Sequence, residues 1–357
     1  MTAVITRPAV APARPEPPPG PRRSVVTLGI ATLLVLLLGG SVLAAAAVGA
    51  SGLGPGHVLQ SIGHHLGLTP VGLPRLDDAI IWEIRLPRVI TAGLVGAALA
   101  LSGAVMQTLT RNPLADPYLL GLSSGAALGA VSVLLLGLGL VLPVAAFLGA
   151  MLALAAALAL TGRAAARGST RIVLAGIAVA QICSAATSFV IFSAAQGDSY
   201  REVLAWLMGS LGGAEWSSLT VAGPIIVVAA LLLIGYARSL DAFVFGDQVA
   251  ASLGVATGPT RLVLLGLVAL LTGSAVAVSG AIGFLGLTLP HAVRFLTGPA
   301  HGRLLPVLAP AGAIFLIWTD TAARTVLAPE EVPVGILTAL IGAPVFGVLL
   351  WRQRRSA

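Results

Sequence analysis

Long apolar blocks separated by short polar ones run through the chain from residue 24 to residue 352. Most are close to twenty residues, the length an α-helix needs to cross the hydrocarbon layer of a bilayer (about 20 residues, range roughly 17–25). The pattern predicts helices near 25–48, 89–109, 123–141, 143–162, 172–194, 220–237, 262–281, 284–296, 304–323 and 335–351, about ten in all. The eighth is too short for a full crossing and carries Pro290; short or broken helices are tolerated where protein surrounds them. The first block, 24–50, ends in AAAAVGAS, which looks like a signal-peptide cleavage site. A signal core is only about 7–15 residues long, so this longer block is read as the first transmembrane helix.

Polar punctuation fixes the remaining organisation. Residues 1–23, rich in Pro, Ala and Arg, have the composition of a disordered tail. A transmembrane domain is expected over 24–352 and a short tail over 353–357. Composition agrees: 57% of the residues are hydrophobic and 9% charged, against roughly 25% charged in soluble domains. The chain reads as an all-α polytopic membrane protein.

Charge then supplies topology. With the N-terminus inside, fifteen of the twenty arginines fall on inner segments and five (Arg75, Arg85, Arg88, Arg201, Arg324) on outer ones, while four acidic residues are inner and nine outer. Positive residues collect on the cytoplasmic side, so both termini are expected inside, in the cytoplasmic membrane. Trp82, Trp206, Trp216, Trp318 and Trp351 fall near predicted helix ends, as interfacial aromatics do. The arginines form no basic stripe, which argues against nucleic acid. All twenty basic residues are Arg and none is Lys. A Walker A loop needs a lysine on the phosphates, so any ATP that drives this chain binds to another subunit.

Candidate chemistry is sparse. Ionisable groups at mid-bilayer mark ion and proton routes, but Asp320 and His291 lie near predicted helix ends, which argues against an ion-coupled carrier. No nucleophile–base set or metal-ligand cluster stands out, which leaves a membrane enzyme without a reactive constellation. The single Cys183 reads as a small core hydrophobe, and His64–His65 as part of an outer loop. ALSGA (100–104) is echoed by AVSGA (277–281), a weak sign of an inverted repeat, although small residues also permit close packing. The segment 111–129 holds two turn-forming pairs, Asn112-Pro113 and Asp116-Pro117, with Ser123, Ser124 and Gly125 placed to cap the next helix. The inner loop 238–261 contains a short amphipathic stretch, GDQVAASLGV, with Asp247 at its start and Gly254 at its end. Such a surface helix suits docking into a soluble partner; a plain surface loop is the alternative.

Several stretches in fixed order carry a resemblance: IRLPR, SGAVMQTLTRNPLADPYLLGLSSGA, STRIVLAG, WLMGSLGG, GDQVAASLG, SGAIGFLGLTLPHAVR and PVGILTALIGAPVF. Over roughly residues 75–352 the chain resembles the FecCD-type permeases of ABC importers for iron chelates, haem and vitamin B12. The resemblance implies a type II importer permease fold with ten helices. It also implies a second permease subunit (an identical copy or a close homologue), two ABC ATPase subunits below, a substrate-binding protein above, and no catalytic residue or cofactor in this chain. Arg85, Arg88 and Arg324 match arginines that face acidic residues of the binding protein, a role suited to exposed guanidinium forks. The alternative is pairing within the chain to Glu83, Asp320, Glu330 or Glu331, or contact with lipid headgroups. Asp247, Ala250, Ala251 and Gly254 match the segment that couples to the ATPase. Ser169 and Thr170 match a narrow inner gate, with helix capping as the alternative, and SYREVLAWLMGSLGG (199–213) matches a short outer helix. The expected cargo is a ferric siderophore, with cobalamin or haem as alternatives.

Overall fold

The computed structural model describes residues 21–49, 52–162, 169–197 and 199–356, and the regular elements among them are all helices. They are α1 (Pro21–Ala47), α2 (Pro55–His65), α3 (Arg75–Ala79), α4 (Leu86–Thr110), α5 (Leu122–Leu136), α6 (Leu142–Thr161), α7 (Ser169–Ala194), α8 (Ser199–Leu207), α9 (Trp216–Gly235), α10 (Ala237–Val244), α11 (Asp247–Ser252), α12 (Thr257–Ser279), α13 (Leu285–Thr297), α14 (His301–Ala323) and α15 (Val334–Ser356). A π-helical turn, Ile80–Arg85, joins α3 to α4, and a 3₁₀ turn, Pro117–Leu120, precedes α5. Most of the expected tail, residues 1–20, and the inner arginines Arg163 and Arg167 lie outside the described residues.

Among the described residues, seven helical segments are long and apolar enough to cross a membrane: those of α1, α4 (with α3 and the π turn), α6, α7, α9, α12 and α14. The shorter α5, α13 and α15 occupy the remaining predicted positions, so the count near ten holds. Boundaries differ where local chemistry extends a helix. α1 starts at Pro21, inside the expected tail; proline is suited to a first helical turn because its missing N–H would have no intrahelical partner there. α15 continues to Ser356, through nearly all of the expected C-terminal tail. α2 was not predicted, being too short and polar for a membrane period. His65 on α2 stacks on Trp82 (centroids 3.9 Å apart, 5° between planes) and lies 2.9 Å from Asp78 Oδ2. Ser61 donates to Asp78 Oδ1 at 2.6 Å. The histidine pair thus ends a helix and packs against the π turn, instead of lying in the loop expected there.

One helix organises the bundle. α4 is buried on nearly every side, from Leu86 to Leu109, and packs against α14, α12, α13 and α9. Without water between helices, association depends on close van der Waals approach, which small residues allow. A Cβ on Gly96 would collide with the carbonyl of Gly312 on α14, and one on Gly103 with the backbone of Gly286 on α13. α4 and α14 run antiparallel: Arg88 meets Asp320 at one end and Thr108 meets His301 at the other. We call the Arg88 end the rim and the Thr108 end the base.

The eighth expected helix is short, as its apolar run implied: α13 runs unbroken through Pro290, and a break separates it from α12. α12 ends at Gly280 (φ +65°), and α13 begins only after Phe284, which is left-handed (φ +66°). The Tyr118 hydroxyl holds the break, donating to Ile282 O (2.9 Å) and accepting from Ile282 N–H (3.1 Å). Tyr118 is placed by Asp116, whose carboxylate accepts from its N–H at 2.8 Å. The following α5 starts after a left-handed Gly121, with no side-chain cap from Ser123 or Ser124. The two echoed pentapeptides play different local parts: Gly103 is inside a helix, whereas Gly280 ends one.

Gly96→Val should destabilise the bundle by about 1–3 kcal/mol through overpacking, measured by thermal unfolding in detergent. The same change at Gly266, which has nothing within 4 Å of its would-be Cβ, should have little effect.

Candidate functional site

The rim is built around three of the five arginines expected on the outer side, Arg85, Arg88 and Arg324. The last turn of a helix leaves carbonyls without intrahelical donors, and α1 ends in AAAA with no basic side chain of its own. Two arginines from elsewhere fill that need. Arg85, at the end of the π turn, donates through Nη1 to Ala46 O (3.0 Å) and Ala47 O (3.1 Å). Arg324, at the end of α14, donates to Val48 O (2.8 Å) and to Ala45 O. Cationic groups here also complement the negative end of the helix dipole. Gly49 is required beside them, since a Cβ at that position would overlap the Arg85 guanidinium.

Arg88 has a different task. Its Nε donates to Asp320 Oδ2 at 2.9 Å and its Nη2 to Asp320 Oδ1 at 3.0 Å, a bidentate pair. Nη1 donates to Glu331 Oε2 at 2.8 Å. The Arg88 and Asp320 side chains are 9% and 2% exposed, and that of Glu331 is 49% exposed. The structure therefore brings all three predicted arginines to the rim but turns Arg85 and Arg88 inward, leaving Arg324 half-buried and the Glu330–Glu331 edge at the surface. For Arg88 the in-chain alternative, Asp320 and Glu331, describes the observed geometry. The main-chain carbonyls of α1 were missed as partners. The one sequence signal for them is the uncapped polyalanine end of that helix.

At the base, α10 and α11 form a helical hairpin ahead of α12. Gly246 (φ +95°) precedes α11, and Gly254 (φ +86°) follows it. Val255 N–H donates to Ala250 O and Gly254 N–H to Ala251 O, both at 3.0 Å, the bond pattern of a glycine-terminated helix. Asp247 pairs with Arg261 Nη2 on α12 at 2.5 Å, and the Arg261 guanidinium lies 5.4 Å above the Phe243 ring. Of the predicted coupling residues, Ala251 and Gly254 are exposed, Asp247 is partly so, and Ala250 is fully buried against the bundle. The exposed face also carries Val244, Phe245, Val249 and Leu253, with Phe245 at 70% and Leu253 at 66% exposure. Sequence reasoning did not single out these four apolar residues. Ser169 is the first residue of α7, and Thr170 beside it is exposed; the Ser169 side chain lies outside the described residues. Among the described residues no group of three His, Cys, Asp or Glu side chains is placed to hold a metal ion.

The family model of the FecCD transport family matches residues 33–352. The chain is 43% identical over 281 residues to the cobalamin import system permease protein BtuC of Halobacterium salinarum, covering 78% of this chain and 75% of that protein. It is 46% identical over 290 residues to the hemin transport system permease protein HmuU of Yersinia pestis, covering 78% and 86%. Among solved structures, one described as an inward-facing conformation of a metal-chelate type ABC transporter superposes with a TM-score of 0.78 at 29% identity, covering 92% of this chain and 99% of that one.

Removing one partner of a buried ion pair strands the other charge, at about 3–5 kcal/mol. Asp320→Ala should therefore destabilise the protein by that order, whereas Glu331→Ala, at the exposed arm of the same cluster, should cost about 1 kcal/mol or less. Chemical unfolding in detergent micelles measures both, and equal losses would contradict the burial difference.

Proposed function

The chain belongs to the FecCD transport family and is an ABC importer permease; from that premise we propose that it carries a ferric chelate of the siderophore type across the cytoplasmic membrane. Two ATPase subunits dock at the base and hydrolyse the ATP, a binding protein delivers cargo at the rim, and a second permease subunit, identical or closely homologous, completes the pathway. The observation that carries the reading is the base face. A chain without lysine has no Walker A loop of its own, and Phe245, Val249 and Leu253 expose apolar surface on α10–α11 beside a buried ion-paired anchor. Apolar side chains ringed by polar ones are the usual core of a protein interface.

Support for the rest is of unequal kinds. α7 and α15 expose apolar side chains, among them Ile182 (67%), Phe189 (70%) and Leu340 (68%), which suits a second subunit across a shared pathway. Ser169 and Thr170 begin α7 at its base end, where small hydroxyls can narrow a pathway without placing a fixed charge in it. At the rim, Arg85 and Arg88 hold the framework to which a binding protein docks, and Arg324 with Glu331 are the members of the cluster that a partner's charges can reach. The named cargoes of the relatives, cobalamin and hemin, and the metal-chelate description of the solved neighbour have a common chemistry: a metal ion wrapped in a bulky organic ligand. A ferric siderophore is our reading within that class, with cobalamin or haem as the alternatives. An ion-coupled carrier is not favoured, since the family's members are ABC permeases.

Two measurements test this. Proteoliposomes holding the permease with its ATPase and binding protein should accumulate a radiolabelled ferric trishydroxamate only when ATP is enclosed with the ATPase. Uptake driven by an ion gradient without ATP would overturn the mechanism, and uptake of cobalamin or haem in place of the ferric chelate would overturn the cargo. Phe245→Asp combined with Leu253→Asp should reduce ATPase co-purification by about tenfold or more, the loss expected when apolar anchors of an interface are replaced by charge.

A further inference from the structure

A polar link at the base, buried at His301 and Thr108 and partly exposed at Asp241, is used by none of the roles above. Asp241 lies on α10, one turn before the exposed Phe245. Its Oδ1 accepts from the His301 backbone N–H at 2.8 Å and from His301 Nδ1 at 2.7 Å. The residue before α14, Ala300, offers no capping side chain, so a carboxylate from another helix supplies the cap, in the position where negative charge is favoured. His301 Nε2 lies 2.7 Å from Thr108 Oγ1 on α4, and that hydroxyl also bonds Ala104 O at 2.9 Å. His301 and Thr108 are 1% and 6% exposed. Three helices distant in sequence are thus joined through one imidazole, both of whose nitrogens have a partner.

Docking does not require this link. The exposed face of α10–α11 is centred on apolar side chains, whereas the Asp241 carboxylate, 40% exposed, is turned to His301. The other anchor of the hairpin, Asp247 with Arg261, spans only 14 residues and ties α11 to the helix that immediately follows it. The Asp241 link instead reaches across 60 residues to His301, which in turn meets Thr108 from 193 residues away.

Geometry gives the link a second property. Thr108 is 20 residues from Arg88 on α4, and His301 is 19 from Asp320 on α14. At 1.5 Å per residue both stretches are about 30 Å long. The polar contacts at the rim and the base are therefore in register on two antiparallel helices. A slide of one helix past the other by a single turn would break both.

We propose that Asp241–His301–Thr108 is the joint through which displacement of α10–α11 reaches the membrane-spanning helices, α4 and α14 moving as one body that carries the displacement to the rim. Asp241 and Thr108 are positioning residues for transport. The inference rests on α10–α11 being the ATPase-docking segment.

The test uses the full permease–ATPase complex in nanodiscs, with Cys183→Ala and a fluorophore on a cysteine replacing the exposed Glu330. ATP should change the rim signal in the parent protein and in Thr108→Ser, which keeps the hydroxyl. In Asp241→Asn and Thr108→Val the ATPase should remain bound and hydrolyse ATP, while the rim response falls by about threefold or more. A rim response equal to the parent's in both variants, with ATPase bound, overturns the joint and leaves the docking assignment standing. A parent permease that binds no ATPase overturns the docking assignment, and the joint with it. Thr108→Val exchanges one hydroxyl for a methyl group of similar size, so the comparison survives should Asp241→Asn fail to fold.

Discussion

An arginine placed in an apolar helix bundle costs several kcal/mol unless its charge is matched and its donors are used. Arg88 meets both conditions: Asp320 takes two of its donor nitrogens and Glu331 a third. That arrangement sets much of the rest. It fixes the register of α14 against α4, which in turn permits the backbone contact of Gly96 with Gly312 and brings His301 level with Thr108 at the base. It places Arg324, at the end of α14, where its guanidinium reaches the α1 carbonyls. α1 is consequently held to the bundle by cations from two other elements, and by Trp318 donating to Ser41 Oγ at 3.1 Å.

The rim arginines lie on segments that the charge pattern reads as outer, where positive charge is in the minority. Their geometry accounts for them in electrostatic terms local to the protein: two complete a helix end and one closes a buried pair. These residues maintain the shape of the rim and leave Glu331 exposed and Arg324 half-buried at its surface. At the base the division of labour is similar. Asp247 and Ala250 secure α11 to the bundle, while the apolar residues around them face outward.

Much of this was legible in the sequence, for physical reasons. Lipid imposes a length and an absence of charge on each crossing, so about ten helices and the shortness of α13 could be read from the apolar runs. Gly254 and Asp247 announced the ends of α11 because glycine and acidic residues have distinct roles at helix termini. The orientation of a six-residue helix was not legible: two turns give no periodicity from which to tell that Ala250 points inward and Val249 outward. Nor was α2, whose stability comes from His65 stacking on Trp82 rather than from an apolar stripe. Contacts that join distant segments, Arg85 to the α1 carbonyls and Asp241 to His301, leave no local pattern at all. The pairing of Arg88 with Asp320 was one of several charge pairings the sequence allowed, and only the antiparallel packing of α4 on α14 selects it.

The account depends on α4 and α14 behaving as one rigid unit during transport. A Cβ at Gly93 would lie 3.8 Å from the Cβ of Ala313, close to the mean separation in disulfides. Gly93→Cys with Ala313→Cys, in a protein carrying Cys183→Ala, can therefore be locked by oxidation within the assembled importer. The decisive measurement is ATP-driven uptake before oxidation, after oxidation and after reduction. Equal rates in all three states are expected if the two helices keep their register. Uptake that stops on oxidation and returns on reduction would show that they slide past each other, contrary to this account.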